Sequence, residues 1–331
     1  MRTPTALRTA RSVARLSIRT GALAGVLALL AGCSVGASHA ADEPPPTLAP
    51  AGFWDTWGDG RAELAGYALT QPRYGEERRG EAVLVFVTET FTGGQRVKSD
   101  GGHPDEYPVL KLNEVRDFQT GLYDYNVMTS SWLRLDGRIP LGLPDKVSFS
   151  MQEWCGHVYE ELTVEPEGLD RFLHSYFDGE SAGKASHALP KGGVVADAMP
   201  MLVRNLGGTF LEPGEQRTVP WLPSAPERRM AHRGFEWTTA TISRSAGTST
   251  LEVPAGTFTV YTVTAEPEGS PSTTWSVDST SGALVGWKRS DGEVAELTGR
   301  TRRSYWQDHG EGGEALRAQL GLPAHTWPER K

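Results

Sequence analysis

Apolar side chains recur at every second position through most of this chain, and that period admits few folds. Val147, Phe149 and Met151 alternate with Ser148, Ser150 and Gln152. A side chain that changes face at each residue belongs to a half-buried strand. Residues 82–88 form a buried run of β-branched and aromatic residues. Further strand-like stretches lie at 109–112, 158–164, 172–177, 235–242, 257–265, 273–277, 284–289 and 294–305. Turn chemistry separates them: Pro166-Glu167-Gly168, Ser245-Ala246-Gly247, Pro254-Ala255-Gly256, Pro267-Glu268-Gly269, Ser281-Gly282 and Asp291-Gly292. Helical signals are few. Asp197 is placed to cap a short helix through Leu206, closed by Gly207-Gly208, and residues 315–320 suit a C-terminal turn or two. Strands spaced this regularly, with no strand–helix alternation, predict a mainly β fold. Its form is a strongly curved antiparallel sheet, half-barrel-like, with one or two short helices.

The first residues follow another logic. Arg2, Arg8, Arg11, Arg15 and Arg19 precede a short apolar run, 21–31, too short to span a bilayer, which takes about 20 apolar residues. A basic start and short apolar core suit a signal peptide. The run ends in Leu30-Ala31-Gly32-Cys33, which resembles a bacterial lipobox. That resemblance implies cleavage after Gly32 and lipid on Cys33, so residues 1–32 are read as a lipoprotein signal peptide. Residues 33–50 are small, polar and Pro-rich, a flexible tether. Residues 51–310 are read as one β-rich domain, with two halves meeting near 200, and 311–331 as a C-terminal tail with a short helix. Cys33 and Cys155 are the two cysteines, so lipidation of the first leaves no internal disulfide.

Removing residues 1–32 takes away five arginines and no acid, which moves the net charge from −8 to −13. An acidic body without clustered Lys and Arg is a poor match for nucleic acid. The expected partners are a membrane, through the lipid, and an envelope ligand or protein. Ser34 after the lipidated cysteine, by resemblance to Gram-negative sorting rules, points to the outer membrane in a host with two membranes.

Two stretches carry family resemblances. FWDTWGDGRAELAGY, QPRYGEERRGEAVLVFVTE, PVLKLN, TGLYDYNVMTSSW and SFSMQEWCGHVY, from Trp54 to about Glu180, resemble a family of uncharacterised bacterial envelope proteins. Some of its members are automatically named "septum formation inhibitor Maf". VPAGTFTVYTVTAEPEG with WSVDSTSGALVGWKRSDGEVAELTG resembles the C-terminal half of an unnamed β-rich periplasmic family. The Maf label carries no chemistry over. Maf proteins open with Ser-x-Ser-Pro-Arg-Arg after a first strand, whereas Ser224-Ala225-Pro226-Glu227-Arg228-Arg229 here is mid-chain with an inserted residue.

Few residues suggest chemistry. Gly179-Glu180-Ser181-Ala182-Gly183 fits G-x-S-x-G, the strand-to-helix elbow that exposes a nucleophilic serine. Residues 184–189, stopped by Pro190 and Gly192-Gly193, offer no helix, so a loop turn is the reading. Ser181 with His187 or His232 is the hydrolase alternative. In Trp154-Cys155-Gly156-His157, the cysteine reads as a small buried hydrophobe and Gly156 as a close approach of another chain segment. His103, Asp105 and Glu106 form no metal-ligand set, and no cofactor is implied. Trp54, Trp57, Tyr67, Tyr123, Tyr125, Trp132 and Trp154 crowd the first half. They are expected mostly in the core, with a ligand groove on a concave face as the alternative. The expectation is a non-enzymatic, lipid-anchored binding or structural protein of the cell envelope.

Overall fold

The computed structural model describes residues 49–165, 168–180 and 183–324; Cys33, the lipobox and Ser181 lie outside them. Helix α1 (Phe53–Trp57) leads into eight consecutive strands: β1 (Ala62–Arg73), β2 (Glu76–Thr92), β3 (Glu106–Thr120), β4 (Tyr123–Arg134), β5 (Lys146–Glu153), β6 (Gly156–Glu165), β7 (Gly168–Ser175) and β8 (Gly183–His187). Strand β9 (Val194–Val195) precedes a 3-10 turn (Ala196–Ala198) and helix α2 (Met199–Leu202), and β10 (Gln216–Leu222) precedes helix α3 (Ala225–Met230). Strands β11 (Thr238–Arg244), β12 (Ser249–Val253), β13 (Gly256–Pro267), β14 (Thr273–Asp278), β15 (Leu284–Arg289) and β16 (Val294–Arg303) follow, then a 3-10 segment, Gly313–Leu320.

All sixteen strands join one sheet, in the order β8 to β1, then β16, β15, β14, β13, β11, β10 and β9, with β12 on β13. Every pairing is antiparallel except β9 with β10. The described residues are mainly β, 53% strand and 11% helical, in a large sheet that curls without closing. Side chains bridge the gap between its two ends. Val147, Leu162, Val164 and Leu169 from β5–β7 meet Val195 and Leu222 from β9 and β10.

What the sheet curls around is the segment after β9. Met199, Met201, Leu202 and Val203 are fully buried among the inner residues of both arms, including Tyr67, Leu84, Phe86, Leu110, Ile242, Val263 and Trp287. Its polar groups find partners. Ser131 Oγ donates to the Asp197 carbonyl at 2.9 Å and Tyr261 Oη to the Val203 carbonyl at 2.8 Å. Arg204 forms a 2.8 Å ion pair with Glu63, both nearly dry. The helix expected over 197–206 is thus shorter, and Asp197 does not cap it, since no side-chain cap is made there. The carboxylate instead accepts the Ala225 N–H at the start of α3, at 3.0 Å.

Strands β1 and β2 are buried on both faces, which is why their sequences do not alternate. Ala65, Tyr67 and Leu69 face the interior, while Leu64, Val85 and Val87 lie under Leu320 and Leu322 of the C-terminal segment. Gly66 pairs with Gly299 across β1 and β16. A Cβ at Gly299 would sit 2.7 Å from the Gln319 carbonyl, and one at Gly66 would meet Leu320. The two glycines make the flat seat on which residues 313–322 rest.

Candidate functional site: a cationic cavity beside helix α3

Antiparallel pairing puts alternate turns at one end of the sheet. The turns after β1 (Tyr74-Gly75), β3 (Gly121-Leu122) and β5 (Trp154-Cys155) share an end with the segment following β7 and with Asp291-Gly292 before β16. The opposite end holds α1 and the start of β1. Into the first end α3 inserts. Ser224 Oγ accepts the Glu227 N–H at its N-terminus, and with Asp197 taking the Ala225 N–H the exposed donors of the first turn are satisfied. Ala225 and Met230 pack on Tyr125, Phe149 and Val158. That contact holds the helix against the inner face and leaves a cavity on each side.

One cavity, about 330 Å³, is bounded by Gln71, Arg73, Arg116, Glu227, Arg289 and Glu293. It leads to a recess of about 60 Å³ lined by Asp197, Trp221, Trp275 and Trp287. Arg116 and Arg289 are paired there, while Arg73 donates to the Met230 carbonyl and no described carboxylate meets it. Arg116 donates to Glu114 (2.5 Å) and Glu293 (2.9 Å), and Trp287 Nε1 also donates to Glu293 (2.7 Å). Arg289 bridges Glu227 (3.2 Å) and Asp291 (3.1 Å). Against the cost of burial, Glu114 and Glu293 hold Arg116 more firmly charged than a free guanidinium. Burial pushes the Asp197 carboxyl up to about 6, against the pull of Arg228 and the Ala225 N–H.

The other cavity, about 420 Å³, lies between β6–β8 and α3 with its following loop. It is not balanced. Arg171, Lys184, Arg228, Arg229 and Arg233 line it, against Glu160 and Glu180. Glu160 serves two guanidiniums, Arg228 and, at 2.8 Å, Arg171. Glu180 meets Arg229 at 2.8 Å and His232 Nδ1 at 3.0 Å. Among the described residues Arg233 has no carboxylate partner and donates to Ser270 Oγ at 2.7 Å, while Lys184 makes no close ion pair but its charge reaches Glu161 across Phe172. The Nε atoms of Arg171, Arg228 and Arg229 are buried without an acceptor. Burial, and then the Arg171 and Arg228 charges, hold the nearby His187 imidazole below the usual range, against the opposing pull of Glu160. Phe149, Val158, Leu173 and Phe235 complete the walls.

The seven aromatic residues read mostly as core, with a shared groove as the alternative, are dispersed. Tyr67 is fully buried and Trp57 nearly so, both in the main core. Trp132 packs on the outer face with Phe91, Tyr107 and Val109. Tyr125 stacks on Phe118 at 4.9 Å, with Tyr123 beside it. Trp154 is exposed on the β5–β6 turn, 6.5 Å from Tyr123, and Trp54 is exposed at the opposite end. At the first end, hydrogen bonds with Tyr123 and Tyr125, and the Arg73 cation, hold the Tyr74 phenol below the usual tyrosine range. The single-groove reading is corrected accordingly.

Cys155 is corrected too. It is exposed in the β5–β6 turn, not buried, and Glu153 beside it holds the thiol above the usual cysteine range. Gly156 does mark a close approach, of the Tyr176 ring at 2.5 Å from a would-be Cβ. The G-x-S-x-G stretch joins β7 to a strand, β8, where a nucleophile elbow needs a helix. Among the described residues no cluster suited to a metal ion occurs. No described helix is long and apolar enough to cross a membrane.

The charged lining had a sequence signature that alternation alone conceals. Leu110, Leu112, Glu114, Arg116 and Phe118 keep one parity along β3, as do Val158, Glu160 and Leu162 on β6 and Leu169, Arg171 and Leu173 on β7. Charges at core-facing positions need partners or a ligand. The helix presenting Arg228 and Arg229 begins with Ser224-x-x-Glu227, the capping-box pattern.

No family model matches the chain, and no curated protein is similar to it. Among solved structures it is similar to a beta-barrel-like protein of domain of unknown function DUF1849 from Brucella abortus. The TM-score is 0.44 and the identity 11%, over 73% of this chain and 97% of that one.

Proposed function

We propose that the chain is a lipid-anchored cell-envelope protein that binds a ligand, without chemistry on it, at the end of the sheet where α3 inserts. The observation that carries the reading is the cavity of about 420 Å³ between α3 and β6–β8, whose walls hold more cations than the described carboxylates neutralise. A fold seeking stability alone would fill that space with apolar side chains, because buried unpaired charge costs several kcal/mol. The anchor rests on the export sequence and the Leu30-Ala31-Gly32-Cys33 string. Two or three acyl chains, at about 0.8 kcal/mol per buried methylene, suffice for stable attachment.

Native mass spectrometry of the protein purified in mild detergent from its own membranes tests both halves. The expected result is an acylated Cys33, together with a second, non-covalent mass released on unfolding. A bare chain with a free Cys33 thiol and an intact leader would overturn the anchor. No released mass under any condition would overturn the binding role.

One contact favours a second reading. His232 Nδ1 lies 3.0 Å from Glu180 Oε1, the pairing that orients a general base, and Ser181 follows Glu180 in the chain. A fluorophosphonate probe decides it: an adduct on Ser181 makes the protein a serine hydrolase, and its absence removes that idea.

A further inference from the structure

The cavity between β6–β8 and α3 has a charge that specifies its occupant, an assignment that rests on the proposed binding role. Five cationic side chains meet two carboxylates there, in a protein whose overall charge is −8. The same helix borders, on its other side, a cavity in which Arg116 and Arg289 are matched by carboxylates and Arg73 and the shared Arg233 are not. The larger excess lies on the β6–β8 side of α3. In a half-enclosed space it is screened less than on an open surface and concentrates anions.

The arginines are also largely withdrawn from water: Arg228 is 3% exposed and Arg229 8%, and the Nε of each, like that of Arg171, is buried without an acceptor. Guanidinium forks are matched by planar carboxylates and by phosphate oxygens. Two features choose between these. The excess of three positive charges is better met by a phosphate monoester, with up to two negative charges, than by a single carboxylate. The volume of about 420 Å³ exceeds what an isolated inorganic anion fills, and Phe149, Val158, Leu173 and Phe235 give one side of it an apolar wall.

We propose that this cavity binds a phosphate-bearing amphiphile, the phosphate on Arg171, Arg228 and Arg229 with Lys184 and Arg233 at the entrance, and the apolar portion along Phe149, Leu173 and Phe235. The phosphate comes either from a lipid headgroup or from a soluble phosphomonoester.

Calorimetric titration of the processed, detergent-purified protein tests this with four probes: dihexanoyl phosphatidic acid, inorganic phosphate, hexanoate and dihexanoyl phosphatidylcholine. Phosphatidic acid is expected to bind tightest, with an affinity that falls as NaCl rises from 50 to 500 mM. Inorganic phosphate binding equally tightly would show that the apolar wall contributes nothing and would overturn the amphiphile. The diagnostic variant is Lys184→Glu with Arg233→Glu. Both side chains are exposed and make no close ion pair, so folding is expected to be unchanged, as melting temperature will check. Affinity for phosphatidic acid is expected to drop at least about tenfold. Arg228→Gln is expected to abolish binding, but it removes a buried ion pair, so it is read only if the variant melts cooperatively. Phosphatidylcholine or hexanoate binding as well as phosphatidic acid, no phosphate probe binding, or unchanged affinity in the double variant would each overturn the proposal. A neutral molecule released in the mass-spectrometric experiment would sink the anion assignment and leave the binding role standing; no released molecule would sink both.

Discussion

Asp197 is a carboxylate placed where neutral groups belong. Burial lifts its pKa from 3.8 to about 6, so the folded state holds a proton that the unfolded chain releases near pH 4. The sign follows from linkage. With the folded pKa above the unfolded one, stability falls as pH rises from about 4 to about 6 and then stays lowered, by on the order of 3 kcal/mol. Asp197→Asn keeps an acceptor for the Ala225 N–H and removes the titration. Urea midpoints are expected to coincide with the parent's near pH 4 and to lie above them at pH 7.5; parallel curves would refute the assignment. Glu63 and Arg204 present the opposite case, a buried pair with both members in place. Glu63→Ala strands the guanidinium, leaving it the Gly282 carbonyl at 2.6 Å, and should cost about 3–5 kcal/mol. Glu63→Leu with Arg204→Met, which buries no charge, should recover most of that. Equal losses in the single and double variants would show that the pair is not the source.

Three elements decide what the sheet can do: the buried segment around α2, helix α3, and the C-terminal strap. The strap lies on the outer face over Gly66 and Gly299, tied by Arg317 to Glu81 and by Thr298 Oγ1 to the Leu320 carbonyl at 2.5 Å. Gly299→Val should lift it, because a Cβ there already meets the Gln319 carbonyl. Trypsin is then expected to cut after Arg317 much faster than in the parent, with the sheet still cooperative; an unchanged cleavage rate would mean the strap holds without its seat. This seat shows where sequence reading stops. Alternation in β5 and β6 was legible because each has one buried face and local partners. The β1 stretch was not, because residues some 250 positions away cover its second face, and a strand buried twice loses its period. The strands 216–222 and 249–253 were missed too, being short and partly polar. For the site, the capping box at Ser224 and the core-parity charges Glu160 and Arg171 were written in the sequence. Their convergence on one cavity was not, since it depends on which strands the curl brings under α3.

At the scale of the whole molecule, the cavity and the point where the chain enters the sheet sit at opposite ends. The chain enters beside α1, where Thr88 Oγ1 donates to the Trp57 carbonyl and Arg302 to the Thr56 carbonyl. Strand β1 then runs 12 residues to the Tyr74 turn, about 40 Å at 3.3 Å per residue. On the proposed anchor at Cys33, the 18 residues of 33–50 span at most about 55 Å, so length alone does not fix which end faces the bilayer. The point of attachment favours the entry end. The entry end exposes Trp54, Tyr305 and Trp306, ring types that favour the headgroup region. The cavity end also exposes Tyr74, Trp154 and Tyr176, and both ends carry exposed acids, Glu76, Glu77, Asp124 and Asp178 at the one and Asp55, Asp59, Asp100, Asp105 and Glu106 at the other, so charge does not separate them. On the proposed anchor at Cys33 the chain joins the sheet at the entry end, so the cavity is expected to open away from the membrane, toward ligand arriving from the aqueous side. Cys155 reports on this without mutation, because once Cys33 is acylated it is the remaining thiol and it lies exposed on the cavity-end turn. A fluorophore on Cys155 of the lipoprotein in vesicles should escape quenching by nitroxide-labelled headgroups, while one on Trp306→Cys, in a Cys155→Ser background, should be quenched strongly. If the first is quenched and the second is not, the orientation is reversed and the cavity would draw its amphiphile directly from the bilayer.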